Sequence, residues 1–67
     1  MHENIKRLRK RAGLTQVQLA EHLDVGQNTV SMWETGCAKP SVGKLPQLAR
    51  ILGCRIDELY GEEEKEG

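Results

Sequence analysis

Residues 15–35 read TQVQLAEHLDVGQNTVSMWET, and this stretch decides the fold. Thr15 precedes Gln18 by three positions, the reciprocal arrangement in which a hydroxyl and an amide each satisfy a free backbone N–H at a helix start. The segment that follows carries Leu19, Ala20 and Leu23 as one apolar stripe. Asp24, Val25 and Gly26 interrupt it, and a second helix is expected from Gln27 to Thr35, with Val30 and Trp33 inward at i and i+3. A link of about three residues forces two such short helices to cross steeply.

The outward face of the second helix follows from its inner one. With Val30 at 0° on a helical wheel, Trp33 lies at about 300°, so the inner face centres near 330°. Asn28 then falls at about 160°, Met32 at about 200° and Ser31 at about 100°. Gln27 projects from the leading end. This face has amides and a thioether but no charge. Amide side chains suit the N6/N7 edge of adenine in the major groove, and a methionine can lie against a thymine methyl.

Working outward, the segment from Asn4 to Ala12 places Ile5, Leu8 and Ala12 within about 60° of one another, with Lys6, Arg7, Lys10 and Arg11 on the remainder. After the loop Gly36-Cys37-Ala38-Lys39-Pro40, a fourth segment carries Leu45, Leu48, Ala49 and Leu52 as its stripe. Pro46 would cost about 3 kcal/mol in a helix interior, so this helix is expected to start near Gly43 or Lys44. A last short helix spans Ile56 to Tyr60. Gly13, Gly36, Gly53 and Gly61 each follow a periodic segment, where a left-handed cap suits a residue without Cβ. β-branched residues nowhere alternate over a strand's length. The expected fold is all-α, with five helices.

Sixty-seven residues hold one domain, near the lower limit for a core without metals or disulfides. No run approaches the roughly twenty apolar residues that span a bilayer, and Met1-His2-Glu3-Asn4 opens without the apolar region of a secretion signal. A cytoplasmic chain without membrane contact is expected. Cys37 and Cys54 stand seventeen residues apart, and with His2 and His22 they match no familiar metal-ligand spacing. Cys54, between Leu52 and Ile56, reads as a small core residue and Cys37 as a loop thiol.

The formal net charge of zero hides an asymmetry. Residues 1–56 carry nine Lys/Arg against four acids, giving +5, whereas residues 57–67 carry one Lys against six acids, giving −5. The basic part can present a positive face to phosphates. Residues 61–67 read as an acidic, disordered tail beyond a domain at 1–60, the competing reading being an interaction handle. No nucleophile–base pairing, glycine-rich phosphate loop or metal cluster is present, so neither an enzyme nor a cofactor or small-molecule ligand is expected. Asp57 and Glu58 sit where acids favour a helix's N-terminal dipole.

Taken together, Ile5-Lys6-x-Leu8-Arg9, Gly13-Leu14-Thr15-Gln16, Leu19-Ala20-x-x-Leu23, Val25, Thr29-Val30-Ser31-x-Trp33-Glu34-x-Gly36, Lys39-Pro40 and Leu48-Ala49-x-x-Leu52-Gly53-x-x-x-Asp57-Glu58-Leu59 resemble the phage-repressor-type (Cro/cI or XRE-type) helix-turn-helix family. The resemblance covers about residues 3–60 and fixes apolar positions, caps and glycines together. It implies a lambda-repressor-like DNA-binding domain with the helix-turn-helix at the second and third helices. It also implies that Gln27, Asn28, Met32 and Ser31 read bases. Thr15, Gln16, Thr35 and Lys39 would contact the DNA backbone, Gln16 reaching a phosphate or the outermost base pair. Arg9 and Glu34 would form a structural pair joining the first helix to the third, with Arg9 as a phosphate contact the competing reading.

The sequence departs from the family at four positions. Asp24 stands where glycine is usual, Gly26 where Ser or Thr caps the recognition helix, Met32 where a longer polar residue is common, and Val17 where a charge is common. His22 reads as solvent-facing. The function implied is a transcriptional regulator, a repressor or switch protein on a double-stranded operator. A homodimer on two half-sites would use the end of the fourth and fifth helices around Ile51, Ile56 and Tyr60. The alternative is an antitoxin or protein-partner adaptor built on the same fold.

Overall fold

The computed structural model describes residues 1–60, and the tail expected at 61–67 lies outside the described residues, as does Gly61. The elements are α1 (His2–Arg11), α2 (Gln16–Leu23), α3 (Gln27–Thr35), a 3-10 turn (Val42–Lys44), α4 (Leu45–Leu52) and α5 (Ile56–Tyr60), with no strand among the described residues. Fully buried Ile5, Leu8, Leu19, Leu23, Val30, Leu48 and Leu59 come from all five helices and share one core with Trp33 and Leu52. Burying side chains of this kind stabilises by about 1.5–3 kcal/mol each before the entropy of ordering them is counted.

The helix ends explain how α2 and α3 cross. Thr15 Oγ1 accepts from Gln18 N at 3.0 Å and Gln18 Oε1 accepts from Thr15 N at 2.9 Å, so the reciprocal cap is complete. Asp24 ends α2 in the left-handed region, at φ 59°, and three residues later α3 begins behind Gly26, which offers no side chain to cap it. Lys44 Nζ donates to Leu23 O at 3.0 Å, tying the last turn of α2 to the approach of α4. No positional reading of the charges anticipates that bond.

Two expectations need correction. Ala12 is exposed rather than part of the inner stripe of α1. It is the residue that caps α1, and Gly13 turns the chain at φ +78°, so Leu14 packs against the core instead. The buried face of α1 is completed by polar side chains, Asn4 and Arg9. The fourth helix does not begin at Gly43 or Lys44: those residues belong to the 3-10 turn, and α-helical geometry starts at Leu45. Pro46 still lies in the first turn, where its missing N–H leaves no bond unmade. Cys54 is partly buried against the core and Cys37 is exposed. No described helix is long and apolar enough to cross a membrane.

Candidate nucleic-acid interface

Packing fixes which side of α3 faces outward. Val30 and Trp33 are buried, while Gln27 and Asn28 are exposed and Met32 retains 41% of its accessible surface. Ser31 is half-buried at the edge of this face. The outward surface is therefore two amides, a thioether and a hydroxyl on one short rigid helix.

Behind it runs a chain of polar side chains. Arg9 donates through Nε to Glu34 Oε2 and through its second amino nitrogen to Glu34 Oε1 at 3.1 Å. Its remaining nitrogen donates to Leu14 O at 2.7 Å. One guanidinium thus joins α1 to α3 and to the α1–α2 loop, with Arg9 and Glu34 both buried. Burial pushes the Glu34 carboxyl up. Hydrogen bonds from Arg9 and Gln16, with the charges of Arg9 and Lys6, outweigh burial and hold it below the usual carboxylate value.

Glu34 Oε1 also accepts from Gln16 Nε2 at 3.1 Å, and Gln16 Oε1 accepts from Gln27 Nε2 at 3.3 Å. Because an ionised carboxylate only accepts, Gln16 must turn its NH₂ inward and its oxygen toward Gln27. Gln27 then uses one N–H on Gln16 and keeps its carbonyl oxygen and second N–H for the outside. Those are the two groups an adenine edge requires. Sequence reasoning treated the Arg9–Glu34 pair and Gln16 separately; the fold joins them.

The flanking residues differ in what they have left to offer. Thr15 Oγ1 accepts its cap bond, so its hydroxyl proton is available to an outside acceptor. Thr35 Oγ1 donates back to Met32 O at 3.3 Å, so a phosphate contact there requires the hydroxyl to rotate. Lys39 is exposed in the loop beyond α3, where it rims a shallow hollow with Met1, His2, Trp33, Gly36 and Ala38. At the floor of that loop, a Cβ on Gly36 would approach His2 Nδ1 to 3.2 Å, and its φ of +87° disfavours any other residue.

Asn4 escaped the sequence reading. Its Nδ2 donates to Glu58 O at 3.1 Å, joining α1 to α5. The signal was its wheel position, about 40° from Leu8, which places it beside the apolar stripe. Among the described residues no group of three His, Cys, Asp or Glu side chains could hold a metal ion, and no buried side-chain nitrogen or oxygen lacks a partner.

A helix-turn-helix family model matches residues 5–59. The HTH-type transcriptional activator BcrR of Enterococcus faecalis is 38% identical over 94% of the chain and 31% of its own length. The immunity repressor protein of Bacillus phage phi105 is 36% identical over 91% of the chain and 42% of its own length. An uncharacterized HTH-type transcriptional regulator of Archaeoglobus fulgidus is 32% identical over 90% of the chain and 86% of its own length. Against BcrR, the phage repressor and the ImmR regulator of Bacillus subtilis, the chain spans about a third to a half of the relative's length. No solved structure matches the chain significantly.

Proposed function

The chain belongs to the XRE-type helix-turn-helix family, and from that premise we propose that it is a sequence-specific regulator of transcription that binds double-stranded DNA. Helix α3 enters the major groove, where Gln27, Asn28 and Met32 read base edges and Ser31 supports them at the margin. Thr15, Gln16, Thr35 and Lys39 contact phosphates and set the register. The observation that carries the reading is the outward face of α3. Two amides and a thioether are exposed on a helix whose other side is locked into the core, and the leading amide is already oriented. Relatives named as a transcriptional activator and an immunity repressor support regulation without choosing its sign, and repression is the sense proposed here.

One copy of so small a domain covers little DNA, so specific affinity requires two copies on half-sites about one helical turn apart. The end of α4 and α5 is the dimer surface of this reading, with Ile56 exposed and Ile51 and Tyr60 half-buried. Selection from a random duplex library with the purified 67-residue chain tests both statements. A pseudo-palindrome with half-site centres about 10 base pairs apart is the expected product. Enrichment of an isolated half-site would remove the dimer. Enrichment of nothing at low salt would remove DNA recognition and leave an antitoxin or adaptor role for the same fold.

A further inference from the structure

One helix surface outside the proposed reading face is strongly charged. Lys6, Arg7, Lys10 and Arg11 are exposed on α1, and none of them is paired with a carboxylate among the described residues. Arg7 donates to Asn4 Oδ1 at 3.2 Å, and Asn4 in turn reaches Glu58 O. The row Asn4, Arg7, Arg11, spaced i, i+3 and i+7, is therefore the edge of α1 that borders α5. Cys54, just before α5, reports the same neighbourhood. Its thiol is pushed up by burial and by Glu58, and Arg11 opposes that rise.

Helix α5 runs to Tyr60, and Glu62, Glu63, Glu64 and Glu66 follow within six residues, with Lys65 as the single base among residues 61–67. Seven extended residues reach about 23 Å, whereas the ten residues of α1 are about 15 Å long. The Asn4–Glu58 contact places the departure point beside the N-terminal half of α1. Charge and reach both point the same way. A tether this short also holds the segment at a millimolar effective concentration, which a second copy of the chain does not reach at working dilution.

We propose that residues 62–66 of this chain lie in cis along Arg7, Lys10 and Arg11, and that this contact weakens the field the domain offers to a polyanion. The docking stands on the charges and reach above. The weakening rests on the DNA-binding reading, because a duplex is the polyanion concerned.

Backbone and arginine side-chain NMR signals of the 67-residue chain decide the docking. Wild type is compared with the variant Glu62→Gln, Glu63→Gln, Glu64→Gln, Glu66→Gln at about 20 mM and about 300 mM salt, between which the screening length falls from about 20 Å to about 6 Å. Expected are shifts at Arg7, Lys10 and Arg11 at low salt that vanish at high salt and do not depend on protein concentration. The double variant Arg7→Gln, Arg11→Gln should move the signals of residues 62–66 in return. Shifts confined to residues 58–67, centred on Gln27 and Asn28, or growing with concentration would each overturn the cis contact. In a second arm, the glutamine variant should bind a random-sequence duplex about tenfold more tightly at low salt, the gain fading as salt rises. A contact seen by NMR with unchanged duplex affinity would overturn the weakening. If neither protein bound a duplex, the weakening and the proposed function would fall together while the NMR result still decided the docking.

Discussion

Gln27 donates from Nε2 to Gln16 Oε1 at 3.3 Å, and the direction of that bond is set one residue further back, by the carboxylate of Glu34. An amide has two ends of similar shape, and under the proposed function a Gln27 that could present either would not discriminate well between bases. Here the polarity propagates outward from a buried charge. Removing Gln16 should free Gln27 to rotate. The variant Gln16→Ala also removes one hydrogen bond to the buried Glu34 carboxylate, so it is expected to cost about 1 kcal/mol of stability while the Arg9–Glu34 pair keeps the fold intact. It should bind the selected operator about tenfold more weakly, the equivalent of one hydrogen bond of about 1.4 kcal/mol. Discrimination at the base pair facing Gln27 should relax most. Fluorescence anisotropy on single-substituted operators measures this, and undiminished discrimination would show that Gln16 does not orient Gln27.

Arg9 acts on the scaffold rather than on DNA in this reading. All of its hydrogen-bonding directions that the structure uses go to Glu34 and Leu14. Arg9→Met leaves the Glu34 carboxylate buried without its partner, a change that costs about 3–5 kcal/mol when a buried pair is broken from one side. A domain of this size has little stability to spare. The expected outcome is a steep loss of thermal stability, with operator preference unchanged in whatever fraction remains folded at low temperature. Full stability with lost DNA binding would make Arg9 a phosphate contact.

The lowered Glu34 value also fixes a pH dependence. Glu34 ionises more readily in the folded protein than at its ordinary value of 4.5. The unfolded chain therefore binds its proton first as the solution is acidified. The stabilisation from Glu34 is complete above about pH 5 and is lost as pH falls through the lower, folded value. Urea unfolding of wild type between about pH 3 and pH 7 should show that acid limb. Glu34→Gln, which keeps a hydrogen-bonding side chain but cannot titrate, should flatten it while lowering stability at neutral pH. An acid limb unchanged in the variant would assign the dependence to other carboxylates.

Periodicity made the helices and most of the core legible, because Leu19, Leu23, Val30, Trp33 and Leu48 repeat at a spacing only one secondary structure can bury together. The Thr15–Gln18 cap was legible for the same local reason. Ala12 was misplaced because a wheel extends past the end of its helix, whereas the chain turns at Gly13. The 3-10 turn at Val42–Lys44 has no apolar period to announce it. The polar network was only half visible. Family resemblance suggested Arg9 with Glu34, but the link through Gln16 to Gln27 depends on how α2 crosses α3, which no spacing along one helix encodes. Lys44 to Leu23 O is of the same kind.

Asp24 holds φ 59° at the turn between α2 and α3, the one non-glycine residue in the left-handed region among those described. An L-residue costs roughly 1–2 kcal/mol there, and aspartate recovers part of this through its short polar side chain. Glycine removes that strain but gains freedom in the unfolded chain, which offsets part of the benefit. Asp24→Gly should consequently leave stability unchanged or raise it by up to about 1 kcal/mol. Operator affinity should be unaltered, since the turn geometry is the one glycine prefers. A loss larger than about 1 kcal/mol in urea unfolding would mean that the side chain of Asp24 contributes more than its backbone angle costs.

In the proposed function Asn28 reads a base and Lys39 contacts a phosphate, and the two roles can be told apart. Asn28 is exposed on the outward side of α3, and Lys39 lies in the loop just beyond its end. An amide that pairs with a base edge supplies about 1–3 kcal/mol of discrimination and few released counterions. An ammonium on a phosphate supplies the reverse. Asn28→Ala should therefore weaken binding to the selected operator by about tenfold or more, with nonspecific binding and the salt slope unchanged. Lys39→Ala should weaken operator and random duplex alike and reduce the slope of log affinity against log salt by about 1. Binding measured at four or five salt concentrations on both duplexes distinguishes the two. If Asn28→Ala lowered operator and random-duplex affinity equally, the outward face of α3 would be a positioning surface and the bases would be read elsewhere.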